Sequence, residues 1–117
     1  MRRIVGKEFV MSFRRQGGSI ITARVDVWRA EGDQWKHVAE LPFDRPVVDV
    51  ERQSRQLPAG EYTCVFQCFV EESLNGRYDF ELAVDDAVTY ADNGDVNTTA
   101  ASNDSKVYKD QFILEVQ

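Results

Sequence analysis

The stretch from Leu57 to Glu72, LPAGEYTCVFQCFVEE, constrains the fold more than any other part of the chain. Leu57-Pro58-Ala59-Gly60 is a turn signal, since proline presets φ at the entry and glycine accepts the positive φ of a type II turn. From Glu61 onward the residues alternate. Tyr62, Cys64, Phe66, Cys68 and Val70 share one face, and Thr63, Val65, Gln67, Phe69 and Glu71 share the other. A period of two with aromatic and β-branched enrichment is a strand, and its first face belongs to a core. Val65 and Phe69 make the second face partly apolar, which predicts a central strand with some cover on its outer surface.

The rest of the chain repeats this grammar. Phe9, Met11 and Phe13 lie on one side of residues 4–14, and Arg14-Arg15-Gln16-Gly17-Gly18 reads as a polar turn with two permissive glycines that predicts a hairpin. Residues 19–29 place Ile21, Ala23, Val25 and Val27 inward, with Thr22, Arg24, Asp26 and Trp28 outward. A turn at Ala30-Glu31-Gly32-Asp33 leads to a short strand over 34–41. Pro42 and Pro46 bracket a loop, Val47–Glu51 reads as a proline-flanked edge strand, and RQSRQ at 52–56 as a connector. Tyr78, Phe80, Leu82 and Val84 alternate with polar residues in a half-buried strand, Val88–Tyr90 can add a short one, and Val107–Gln117 closes the chain with another. Between them the polar stretch at about 92–106 reads as a long loop. Seven to eight strands spaced near a dozen residues, without a helical period or an internal repeat, predict an all-β, two-sheet antiparallel β-sandwich of immunoglobulin-like or jelly-roll topology.

Length and charge bound the function. The 117 residues suffice for one domain that buries its core without disulfides, and no cofactor is expected. A net charge of −6 repels phosphate, so no nucleic-acid partner is expected. The charge is uneven: residues 1–70 carry +2 and residues 71–117 carry −8, a distribution that suits solvated loops or head-to-tail self-association. Cys64 and Cys68, four apart on one strand, lie about 13 Å apart and cannot pair, so both are expected as buried thiols in a reducing compartment. No apolar run has signal-peptide or membrane-span length, which predicts a cytoplasmic product with no membrane partner.

Gly17-Gly18-Ser19-Ile20, Asp26-Val27-Trp28, Leu57-Pro58-Ala59-Gly60-Glu61-Tyr62 and Tyr78-Asp79-Phe80-Glu81-Leu82 follow one another in an order that resembles the bacterial β-sandwich modules called pre-peptidase C-terminal domains. The resemblance spans most of residues 9–84. It implies a non-catalytic accessory role and carries over no catalytic residue.

Motifs for catalysis are missing. His37 is the single histidine, and no HExxH, CxxC, phosphate loop or nucleophile elbow occurs, so the chain is read as non-enzymatic. Three features offer binding instead. Trp28 and Trp35 flank the Glu31-Gly32 turn symmetrically, so a two-residue loop there would oppose them and set His37 opposite Asp26. Such a pair can anchor a protein partner or stack a sugar, and equally can cover a core edge. Asp92, Asp95 and Asn97 supply hard oxygen ligands for calcium in the polar loop, although the full EF-hand spacing is absent and a solvated loop explains them as well. Arg2, Arg3, Arg14 and Arg15 surround one strand and suit an anion or an acidic partner, or simply a solubilising sheet edge. These features together predict a β-sandwich binding or assembly module that engages a protein partner or itself, with a carbohydrate-binding or calcium-dependent ligand-binding module as the alternative.

Overall fold

In a computed structural model, which describes residues 1–17, 19–71, 77–95 and 105–117, every regular element of the described residues is a strand. In chain order these are β1 (Arg2–Val5), β2 (Glu8–Gln16), β3 (Ile20–Glu31), β4 (Gln34–Phe43), β5 (Val50–Gln56), β6 (Gly60–Glu71), β7 (Arg77–Val84), β8 (Ala87–Asp95) and β9 (Ser105–Val116). They form a β-sandwich of a five-stranded sheet, ordered β1-β9-β6-β3-β4, and a four-stranded sheet, ordered β5-β2-β7-β8. β6 is central, as its pattern predicts. Tyr62, Cys64, Phe66, Cys68 and Val70 are all buried, and β3 and β9 flank the strand along nearly its whole length.

The core is aromatic and spans both sheets. The Phe13 ring lies 5.6 Å from Phe43, 6.1 Å from Phe66 and 6.0 Å from Phe80, joining β2, β4, β6 and β7 by tilted contacts. The Tyr62 hydroxyl donates to the Pro58 carbonyl at 2.7 Å, which ties the turn before β6 to the strand it launches. Two acidic residues make the β7–β8 turn: Asp85 and Asp86 have φ of 46° and 65°, the left-handed pair that matches strand twist in a two-residue hairpin. The Asp85 backbone N–H donates to Val10 O, and its carboxylate accepts from Val10 N, so the hairpin is pinned to β2. Gly17, at φ 110°, passes so close to Arg77 that a Cβ would sit 2.5 Å from its carbonyl oxygen.

Several expectations give way to longer-range pairing. The described residues form nine strands because residues 2–16 split at Gly6-Lys7: β1 joins the five-stranded sheet and β2 the four-stranded one, and because β2 runs to Gln16 and β3 lies in the other sheet, no hairpin joins them. The sheets are not wholly antiparallel, since β1 runs parallel to β9. The expected connector at 52–56 lies within edge strand β5, paired with β2, while 47–49 precede it. Pro42 and Phe43 end β4 rather than opening a loop. Asp92–Asp95, expected in the polar loop, continue β8, where pairing with Arg77–Phe80 satisfies their backbone. At its other end Ser105 and Lys106 open β9, paired with Glu71 and Val70, and the remainder of that expected loop, 96–104, lies outside the described residues.

Candidate functional site

The two sandwich faces that point away from the core differ in chemistry. On the four-stranded sheet, Arg14 reaches across to Asp79 at 3.1 Å and Glu81 at 3.5 Å, so the face is ion-paired. On the five-stranded sheet the outward positions include Ile4, Ile20, Trp35, Phe69 and Val107, all exposed large hydrophobic side chains. Pairing places Val107 beside Phe69 and Phe69 beside Thr22, so this apolar surface runs across neighbouring strands. The sequence signal for it was the apolar pair Val65 and Phe69 on the otherwise polar face of β6, which predicts cover. Phe69 nevertheless remains 37 % exposed and Val107 55 %.

Trp28 and Trp35 belong to the same face but are not opposed. The β3–β4 turn is Gly32-Asp33 rather than Glu31-Gly32, so Trp28 pairs with His37 and Trp35 with Ala30, and a bulge between Val27 and Trp28 shifts the register only beyond them. The Trp28 and His37 rings meet edge to face at 4.8 Å. His37 still contacts Asp26, with Nε2 to Oδ1 at 2.9 Å, and Arg24 Nε lies 3.1 Å from the other carboxylate oxygen. Trp28, Trp35, Thr63, Val65 and Gln111 line a groove of about 410 Å³ on this face. Its lining carries no formal charge. Trp35 forms the outer wall at 60 % exposure, because strand pairing with β6 ends at Trp28 and the hairpin tip projects past it.

The calcium ligands suggested by sequence do not converge. Asp92 pairs with buried Phe80, which turns it toward the space between the sheets, and three residues later Asp95 falls on the opposite face, 3.8 Å from Arg77. Asn97 lies outside the described residues. Among the described residues no group of three or more His, Cys, Asp or Glu side chains gathers as a metal site.

The four arginines already have partners within the fold. Arg2 bridges Glu61 at 3.0 Å and Glu115 at 3.1 Å, and Arg3 donates to Thr89 Oγ1 at 2.9 Å and to the Val88 carbonyl, tying β1 to the edge of the opposite sheet. Arg14 is ion-paired as described. Arg15 is buried against Glu51, donates to Ile21 O at 2.7 Å and stacks over Phe13. An anion would therefore have to displace protein carboxylates or carbonyls from each of these guanidinium groups.

Burial holds the two thiols and two of the tyrosines neutral. Burial pushes the Cys64 thiol up to about 12, and that of Cys68 likewise to about 12, where nearby Arg15 opposes the effect and Asp92 adds to it. Tyr108, which donates to the Tyr78 hydroxyl, and Tyr90 are also raised, first by burial. Thiols so protonated are poor nucleophiles. Comparison of the chain with protein-family models, curated proteins and solved structures found no match. No helix among the described residues is long and apolar enough to cross a membrane.

Proposed function

We propose that this protein is a non-enzymatic binding module that engages a protein partner through the outer face of its five-stranded sheet. The observation that carries the reading is the set of large hydrophobic side chains exposed on that face, Ile20, Phe69, Val107, Trp35 and Ile4, beside the ion pairs of Arg2 and Arg24. Exposed apolar residues gathered on one face mark an interaction surface, whereas single scattered ones do not. The accessory role implied by the resemblance to pre-peptidase C-terminal modules accords with this.

The indoles of Trp28 and Trp35 also have the chemistry of a saccharide platform. A protein partner is favoured because exposed apolar side chains recur at Phe69 and Val107, beyond the polar row of Arg24, Gln67 and Lys109 and about 20 Å along β6 from Thr63 in the groove, well past a sugar ring seated at Trp28. The test is a photo-crosslinking residue placed at Lys109, on the proposed face, and separately at Ala91, on the other, in cells that make the protein. Protein adducts from position 109 and none from position 91 support the reading. Equal yields, or none from 109, refute it.

A further inference from the structure

Resting on that reading, we infer that the partner joins this sheet as a strand: an extended segment with lysine or arginine at alternate positions pairs with the open edge of β9 between Val107 and Gln111. The fold closes its other edges and leaves this one. On the β4 side the edge carbonyls receive donors from β5, Arg55 to Glu40 O at 2.8 Å and Gln53 Nε2 to Pro42 O at 3.0 Å, and Pro42 has no N–H to offer. On the opposite side β1 covers only Ile113–Val116 of β9, and Arg3 spans from β1 to the Val88 carbonyl of β8. Among the described residues no strand lies along that edge of β9 from Ser105 to Phe112. Backbone alternation fixes what the edge offers. Ile113 N–H donates to Met1 O and Gln117 N–H to Val5 O, so the odd-numbered residues of β9 direct their backbone groups away from β6. The register with β6 is unbroken, so Val107, Lys109 and Gln111 direct theirs the same way, and none of these three N–H groups has a hydrogen-bond partner among the described residues. Such a row is the template on which an added strand forms.

Neighbouring side chains set the chemistry of the occupant. On the outer face the residue beside Val107 would extend the row Thr22, Phe69, Val107, so an apolar side chain suits it. On the inner side the surroundings are acidic. Asp110 pairs with buried Phe66 and Asp92 with buried Phe80, which turns both carboxylates toward the space between the sheets on the side where β9 and β8 are the outer strands. Both are half-buried, and neither has a cation partner among the described residues. The Tyr90 hydroxyl, raised first by burial, is raised further by each of them, so their charges converge there. A lysine or arginine on the inward side of the added strand supplies the missing counter-charge, in keeping with the net −8 of residues 71–117. The edge of β8 offers less, since its exposed side chains there are Ala91, Asn93 and Asp95.

The test is amide hydrogen exchange, read by NMR on the full chain alone and with an acetylated peptide of about eight residues that alternates valine and lysine. In the protein alone the N–H groups of Val107, Lys109 and Gln111 should exchange freely while those of Tyr108 and Asp110, bonded to β6, are protected. Because protection grows as 1 + [L]/Kd, about 5 mM peptide with a dissociation constant near 1 mM should slow exchange at 107, 109 and 111 about sixfold. A peptide alternating valine and glutamate should leave it unchanged. Asp110→Asn, which keeps the shape and removes one inward charge, should weaken the lysine peptide at least about threefold, and Lys109→Pro, which removes one outward N–H and spares the β6 ladder, should weaken it by a similar factor. Slow exchange at all three positions without peptide would show that the chain covers the edge itself. That result, no added protection with the lysine peptide, equal protection with both peptides, or unchanged binding to Asp110→Asn overturns the inference. Any of them alongside protein adducts from position 109 overturns strand pairing alone and leaves the face reading in place, whereas failure to form any adduct from position 109 removes both.

Discussion

Arg15 and Glu51 form an ion pair inside the sandwich, at 4 % and 8 % side-chain exposure, and removing one partner tests what the pair contributes. In Arg15→Met the stem volume is kept and the guanidinium lost. The Glu51 carboxylate then retains the Arg45 backbone N–H at 2.8 Å as its donor, and the Ile21 carbonyl loses its partner. An uncompensated buried charge costs about 3–5 kcal/mol, a large share of the roughly 5–15 kcal/mol that holds a domain together. Glu51→Gln keeps an acceptor for Arg45 but leaves Arg15 unneutralised, beside an Nε that already has no hydrogen-bond partner, and should cost a similar amount. With a urea slope near 1–3 kcal/mol per molar for a small protein, either single change should lower the unfolding midpoint by about 2 M. The double variant Arg15→Met/Glu51→Gln carries no buried charge, so its loss should fall at least about 2 kcal/mol short of the sum of the singles. Urea unfolding followed by tryptophan fluorescence, run as a double-mutant cycle, reads both quantities. Single losses under about 1 kcal/mol that simply add would refute the reasoning, because they would mean that water already solvates both charges.

Alkaline pH should destabilise the fold. Cys64 and Cys68 ionise near their ordinary 9.0 when unfolded but only near 12 when folded, so between these values the unfolded chain binds fewer protons and stability falls as pH rises, by up to about 1.4 kcal/mol per pH unit for each thiol. A urea midpoint that stays flat from pH 9 to pH 11 would contradict this, as would rapid labelling of both thiols in the native protein. Asp86, at φ 65°, pays for a left-handed conformation that glycine adopts freely, so Asp86→Gly should raise stability by about 0.5–1 kcal/mol in thermal unfolding, and a loss would show that its carboxylate is structurally required. Trp28 is half-buried between Thr63 and His37 whereas Trp35 stands in solvent, so Trp28→Ala should cost about 1.5–3 kcal/mol and Trp35→Ala under about 1 kcal/mol; the reverse order in thermal unfolding would misplace the two indoles.

The sequence by itself determined the class of fold and much of its core. Side chains alternate with the local backbone, so Tyr62, Cys64, Phe66, Cys68 and Val70 declared their shared face without reference to any partner strand, as did Ile21, Ala23, Val25 and Val27. Alternation is silent about which strand lies alongside which, because that depends on residues far apart in the chain. The break at Gly6-Lys7, the parallel pairing of β1 with β9 and the inclusion of 52–56 in β5 were therefore decided by tertiary pairing. The same limit governs the candidate site. Trp28, Trp35 and His37 were visible as residues, but a turn one residue later than expected put His37 beside Trp28 while Asp26 stayed within hydrogen-bond reach. Arg15, one of four arginines with the same sequence signature, was drawn into the core because Glu51 of the neighbouring sheet edge and the Ile21 carbonyl of the opposite sheet meet it there. Only the assembled five-stranded sheet brought Phe69 between Thr22 and Val107 and Thr63 between Trp28 and Ile113, since register across three strands is a property of the fold rather than of any one segment.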